Sequence, residues 1–178
     1  MANRSNHYEA AFEAFLRARQ VPYVAVDETR RSLLADSSLK SLDFIVSAGQ
    51  GRNWLVDVKG RRFPSGEQKQ YWKNWSTRDD LDSLACWEQL FGDRFEGVFV
   101  FAYNVVGLRA PLPEEELFEF RAGLYAFVAI RRGQYAGYAR PISAAWDTVA
   151  MQADLFRRLA ISFAALVAPP QASPVVAV

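Results

Sequence analysis

The sequence predicts an α/β sandwich built around a mixed β-sheet. An amphipathic helix opens the chain, and two apolar runs separated by turn residues follow as a hairpin. A third apolar run comes after a second helix, which supplies the crossover that mixed sheets need.

Tyr8, Ala11, Phe12, Phe15 and Leu16 recur at helical spacing and predict a helix over 7–19. Ser5 or Asn6 can cap its start, and Pro22 enforces its stop. Tyr23 to Val26 is a short β-like run, and 29–40 is polar without a clear period. Leu42 to Ala48 and Trp54 to Val58 predict two strands, joined by the turn residues Gly49 to Asn53. Segment 60–78 reads as a loop. A helix follows over 79–91, with Asp79 and Asp80 at its positive end and Gly92 at its stop. Gly97 to Val105 predicts a buried strand. Leu124 to Arg131 and Tyr135 to Arg140 flank Arg132-Gly133-Gln134 as a further hairpin. Ala144 to Val167 predicts the longest helix, with Trp146, Val149, Ala153, Phe156, Ala160 and Phe163 on one stripe. Residues 1–168 are expected to form one domain, and Pro169 to Val178 a disordered tail.

Half of the 178 residues are apolar, as in soluble globular domains. Thirteen Phe, seven Tyr and five Trp can fill a core or provide a surface that stacks on bases or a partner. The single cysteine, Cys86, excludes an intrachain disulfide and reads as a small core residue. A reducing, cytoplasmic compartment is expected, with no signal peptide and no membrane span. The net charge of +1 does not advertise a polyanion partner, but its distribution is uneven. Arg52 to Arg78 holds seven basic residues against two acidic ones, whereas Glu114, Glu115, Glu116 and Glu119 reverse the sign. A locally basic segment can meet nucleic acid at near-zero total charge.

The run Trp54-Leu55-Val56-Asp57-Val58-Lys59 carries the most chemistry. Asp57 and Lys59 lie two apart on a strand and share a face. A carboxylate and an ammonium on a buried strand are costly unless paired or metal-bound. Asp43 lies on the preceding strand. With an odd-numbered loop, position 43 falls opposite 59 on the face of Asp57; an even-numbered loop puts it on the other face. In the first register, Asp43, Asp57 and the Val58 carbonyl form a hard oxygen set suited to Mg²⁺ or Mn²⁺. Lys59 can then position a water or hold a phosphate oxygen. The competing reading is a structural Asp57–Lys59 ion pair. Glu9 and Glu13 lie one turn apart; Glu9 can complete the metal sphere directly or through water, or both can be a solvated acidic face. His7, the only histidine, can contact phosphate or act as acid or base, or simply sit at the helix start. Arg61, Arg62, Lys69, Lys73 and Arg78 interleave with Phe63, Tyr71, Trp72 and Trp75, the composition of a nucleic-acid-contacting loop or of a loop with buried anchors.

His7-Tyr8-Glu9-Ala10-Ala11-Phe12-Glu13 resembles the signature of the HYExAFE family, matching it at all seven positions. A helix glutamate, a hairpin aspartate and then D-x-K is similar to the PD-(D/E)XK nuclease superfamily, and within it to archaeal Holliday-junction resolvases. That likeness covers roughly residues 7–105. It implies a restriction-endonuclease-like three-layer sandwich, a central mixed sheet flanked by helices. Carried over, Asp43 matches the metal-binding aspartate of the first motif, Asp57 and Lys59 the acid and lysine of the second, and Glu9 the helix glutamate. Leu42 stands where the superfamily loosely keeps a proline. The resemblance implies a Mg²⁺- or Mn²⁺-dependent DNA endonuclease, possible as a homodimer. The alternative is a non-catalytic nucleic-acid-binding or protein-interaction module on the same fold.

Overall fold

Asn6 opens the first helix as its sequence position predicts. Its side chain accepts the Tyr8 N–H at 3.1 Å and supplies one of the partners that a helix start lacks. The structure, a computed structural model, describes residues 6–26, 32–34, 37–49, 51–143 and 145–168. Along it run α1 (His7–Ala18), β1 (Tyr23–Ala25), β2 (Ser32–Leu34), β3 (Ser37–Leu39), β4 (Phe44–Ser47), β5 (Asn53–Phe63) and β6 (Ser76–Thr77). Then come α2 (Arg78–Phe91), β7 (Phe95–Val105), β8 (Phe118–Phe120), β9 (Gly123–Arg131), α3 (Arg132–Tyr138), β10 (Arg140–Ser143) and β11 (Thr148–Ala150). The order closes with α4 (Ala153–Leu159), β12 (Ile161–Ser162) and α5 (Phe163–Val167).

The main sheet has the order β1-β4-β5-β7-β9-β12, with β8 also on β9. β5 and β7 are parallel, joined through α2, while β1·β4, β4·β5, β7·β9 and β9·β12 are antiparallel. The sheet is therefore mixed, and helices cover both faces. Trp54, Val56 and Val58 of β5 face α1 and α5, packing with Phe12, Phe15, Phe44 and Phe163. Leu55 and Phe63 face the other way, with Leu84 of α2, Tyr135 of α3 and Phe156 of α4. Most of the aromatic residues are spent here, as edge-on and tilted contacts such as Phe12–Phe163 at 4.9 Å and Phe101–Phe156 at 5.0 Å. Gly60 lets Tyr8 of α1 pack directly on the sheet: a Cβ there would lie 2.1 Å from the Tyr8 ring.

Three expected elements differ. β5 runs on to Phe63, where a loop is predicted from residue 60, because alternation continues through Gly-Arg-Arg-Phe and Phe63 is buried opposite Val105. Tyr135 to Tyr138 is part of a helix and not the return strand of a hairpin. Tyr135 is fully buried, and its hydroxyl donates to the Asn74 carbonyl oxygen at 2.6 Å. Ala144 to Val167 is not one helix. β12 carries the chain along the sheet edge, so Phe156 and Phe163, seven apart, bury on opposite faces of the sheet. Trp146, placed on the same stripe, is 78% exposed. The expected tail lies outside the described residues. Cys86 is half-buried in α2.

Candidate metal and nucleic-acid site

The site begins with the place where β4 stops pairing. The β4·β5 ladder joins Phe44 to Val56 and Ser47 to Asn53, leaving the five residues 48–52 as the loop. The loop is odd-numbered, but the ladder is shifted by one pair from the expected one. Asp43 falls beside Val56 and Val58 and not opposite Lys59. Its N–H donates to the Val56 carbonyl oxygen at 2.9 Å, and its carboxylate accepts the Val58 N–H at 2.6 Å. That carboxylate stands in for the strand carbonyl that the buried Val58 N–H would otherwise miss. In a strand, the N–H and C=O of one residue point to the same edge. The Val58 carbonyl therefore shares the edge held by Asp43.

Asp57 and Lys59 flank Val58 on the α2 side of the sheet. The Lys59 ammonium lies 2.9 Å from an Asp57 oxygen and 2.9 Å from an oxygen of Asp80. Asp80 is a site residue that local sequence pattern does not reveal; as a first-turn acid it reads only as part of the helix end. It does serve there. Thr77 and Asp80 form a reciprocal cap, with Thr77 N–H to Asp80 at 3.0 Å and Asp80 N–H to the Thr77 hydroxyl at 3.1 Å. The T-x-x-D spacing is the sequence signal for the cap; nothing local signals the contact to Lys59. Asp80 also accepts from the Ser76 hydroxyl at 2.9 Å and from Lys40 at 2.9 Å. Lys40 is tied to α2 through its backbone, by the Trp87 indole at 2.8 Å and the Ser83 hydroxyl at 3.2 Å.

The two aspartates are driven in opposite directions. Burial raises the Asp57 carboxyl above the usual carboxylate range, and Lys59 only partly offsets it. Asp80 is also penalised by burial, but Lys59, Lys40 and the Thr77 N–H hold it well below that range. Lys59 is raised: burial opposes its charge, and the two aspartates outweigh burial. It is an ammonium throughout the neutral range and cannot act there as a proton acceptor. The crevice lined by Lys40, Asp57, Asp80 and Trp87 holds only about 10 Å³, about one water.

Glu9 is buried, and its carboxylate accepts from the Asn6 amide. It stands in the α1 layer, across the sheet from Asp57 and Lys59, with its neighbour Tyr8 packed on Gly60. Among the described residues, no three His, Cys, Asp or Glu side chains are grouped to hold a metal. Asp43 stands at the β4 edge of β5 beside the Val58 carbonyl, and Asp57 leaves the α2 face next to it; carboxylate and carbonyl oxygens are donors of the hard type that divalent cations take. His7 is at the start of α1, with Nδ1 2.8 Å from the Tyr125 hydroxyl. Glu13 pairs with Arg17 at 2.8 Å on the outer helix face.

The basic residues do not share one environment. Arg62, Lys69 and Arg78 are exposed, and Lys73 is half-buried. Arg78 lies 3.4 Å from Asp147. Arg61 is turned inward: it donates to the Gly60 carbonyl at 2.7 Å and to the Trp75 carbonyl, and stacks 3.8 Å over the Trp75 ring. Burial lowers its pKa. Trp72 is half-buried and packs edge-on against Phe63 and Tyr103, whereas Trp75 is exposed.

The mixed sheet, its two helical layers and the carboxylate-bearing hairpin define a restriction-endonuclease-like α/β fold. The Holliday junction resolvase Hjc of Archaeoglobus fulgidus shares it: the likeness covers 92% of this chain and all of that one, with a TM-score of 0.55 at 12% identity. No family model matches the sequence, and no curated protein matches it. Among the described residues, no helix is long and apolar enough to cross a membrane.

Proposed function

We propose that this chain is a Mg²⁺- or Mn²⁺-dependent DNA endonuclease of the resolvase-like kind, related to the HYExAFE proteins through its His7–Glu13 run. The observation that carries the reading is the Asp43 carboxylate on the Val58 N–H, between Asp57 and Lys59, on a fold shared with a Holliday junction resolvase. Asp43, Asp57 and the Val58 carbonyl would hold the cation. A divalent ion held there would supply Lewis acidity for a water and positive charge for the phosphate. The chain's own residues supply the rest. Lys59, fixed as an ammonium, offers a point charge to a non-bridging phosphate oxygen. Asp57, whose charge is disfavoured by burial and supported by Lys59, would be stabilised as a carboxylate by a nearby cation. In the hydrolysis, water oxygen would bond to phosphorus while its proton passes to solvent, one phosphodiester P–O bond would break, and the leaving oxygen would take a proton from solvent. Arg62, Lys69, Lys73 and Arg78 would track the backbone, while Arg61 holds Trp75 in place. A cytoplasmic DNA substrate and a homodimer belong to the same reading.

Branched and linear DNA incubated with Mg²⁺ or Mn²⁺ tests it: cleavage is expected, and Asp57→Ala abolishes it. Metal-dependent cleavage that persists in purified Asp57→Ala rules this site out. A second reading, a non-catalytic nucleic-acid-binding module, is favoured by the small crevice and by Lys59 being locked between two aspartates. It expects binding that weakens steeply with salt and no turnover with either metal.

A further inference from the structure

A second concavity opens at the far end of β5, on the same face of the sheet as Asp57 and Lys59. It encloses about 640 Å³, within the roughly 300–1,000 Å³ of small-molecule sites. Phe63 and Val128, both buried, form its floor, and Tyr71 and Trp72 line one side. Arg109 and Arg157, both exposed, stand at its mouth, and among the described residues no carboxylate lines it. The Arg109 guanidinium already sits 5.6 Å from the Tyr71 ring centroid. Trp72 has φ 58°, in the left-handed region that a bulky residue rarely occupies. Backbone strain of this kind clusters at functional sites. Edge contacts to Phe63 at 5.5 Å and Tyr103 at 6.0 Å hold the indole in one place.

We propose that this cavity binds one nucleoside monophosphate unit, its base against Tyr71 and Trp72 and its phosphate on Arg109 and Arg157. The planar guanidinium forks match phosphate oxygens. The aromatic side gives a sequence-tolerant surface for a base. The unit is either a free nucleotide or an unpaired nucleotide of a strand. Phe63 is four residues past Lys59, or roughly 13 Å along an extended strand. A strand with a phosphate at the centre therefore reaches the cavity within a few nucleotides. The strand form deepens the nuclease reading and rests on it; the free form does not.

The test uses the whole chain with EDTA present, as wild type, Arg109→Glu and Arg157→Glu. AMP and inorganic phosphate are titrated by calorimetry. Duplexes of equal length, fully paired or carrying one unpaired nucleotide, are titrated by anisotropy. Saturable AMP binding is expected, weakened at least tenfold in each variant and not matched by inorganic phosphate. Wild type should prefer the duplex with the unpaired nucleotide by at least fivefold, and both variants should lose that preference. Failure of AMP to bind saturably, or equal affinity for inorganic phosphate, overturns the proposal; equal weakening of both duplexes overturns its strand form and leaves the free nucleotide as the occupant. Cleavage that depends on Asp57 without AMP binding would leave the nuclease reading standing and this one refuted. AMP binding without cleavage would do the reverse.

Discussion

Replacing Asp80 with Asn removes one negative charge while keeping the shape and an acceptor oxygen. The Thr77 N–H and the Ser76 hydroxyl retain that acceptor, so the helix cap survives. What goes is the counter-charge to Lys59 and Lys40, each 2.9 Å away. Breaking a buried ion pair costs about 3–5 kcal/mol. Lys59 keeps Asp57, which puts the loss toward or below the low end of that range. Lys40 is 38% exposed, and solvent screening limits its share to about 0.5 kcal/mol. The expected destabilisation at pH 7 is about 2–3 kcal/mol, read from urea denaturation. The pH dependence has a definite sign. Asp80 is depressed in the folded state, so its contribution is complete above the unfolded carboxylate pKa of about 4 and declines as pH falls below it. The gap between wild type and Asp80→Asn must narrow from about pH 4 downward. A gap under about 0.5 kcal/mol at pH 7, or one that stays constant to pH 3, refutes the reasoning.

Gly60→Ala drives a methyl group into the Tyr8 ring and should cost about 1–3 kcal/mol by overpacking. Adding Tyr8→Ala should recover part of that loss in a double-mutant cycle, and strict additivity would argue against the contact. Asp43→Ala leaves the buried Val58 N–H without its charged acceptor, a loss of about 1.5–3 kcal/mol, and hydrogen exchange should speed up at the Val58 amide. Asp57→Asn should change stability at pH 7 by less than about 1 kcal/mol, because burial already disfavours the Asp57 charge; denaturation beside Asp80→Asn checks the contrast.

The hairpin of β4 and β5 is legible because its information is local: alternation, turn residues and an apolar run lie within about twenty positions. Asp43, Asp57 and Lys59 inherit their places from it. The exact pairing is not legible, since a ladder shifted by one pair keeps Asp43 on an even spacing and the same side-chain pattern. Asp80 is invisible as a site residue for a different reason. Its cap spacing explains it completely at the local level, and only α2 packing across β7 brings it to Lys59. The stripe from Trp146 to Phe163 fails because a seven-residue spacing fits one helix as well as two short ones that straddle a sheet edge. Tyr135 reads as strand by composition and becomes helix by burial, its hydroxyl meeting carbonyls 61 and 14 residues away.

Two carboxylates share one ammonium, yet their environments assign them different work. Asp80 gathers two lysines, a hydroxyl and a backbone N–H, and its charge is stabilised at every neutral pH. Asp57 has burial against its charge and Lys59 beside it, without the hydroxyl and second lysine that Asp80 gathers. An underpaired buried carboxylate costs stability, and an arriving cation relieves that cost. A cation at Asp57, as proposed, would relieve that cost, whereas Asp80 is already anchored by its own partners. This division yields a sharper test than cleavage. Mg²⁺ or Mn²⁺ should raise the denaturation midpoint of wild type and of Asp80→Asn, by mass action on the folded state. The same ions should leave the midpoint of Asp57→Asn unchanged. A metal-induced rise of equal size in Asp57→Asn would place the cation elsewhere, whatever the chain cleaves.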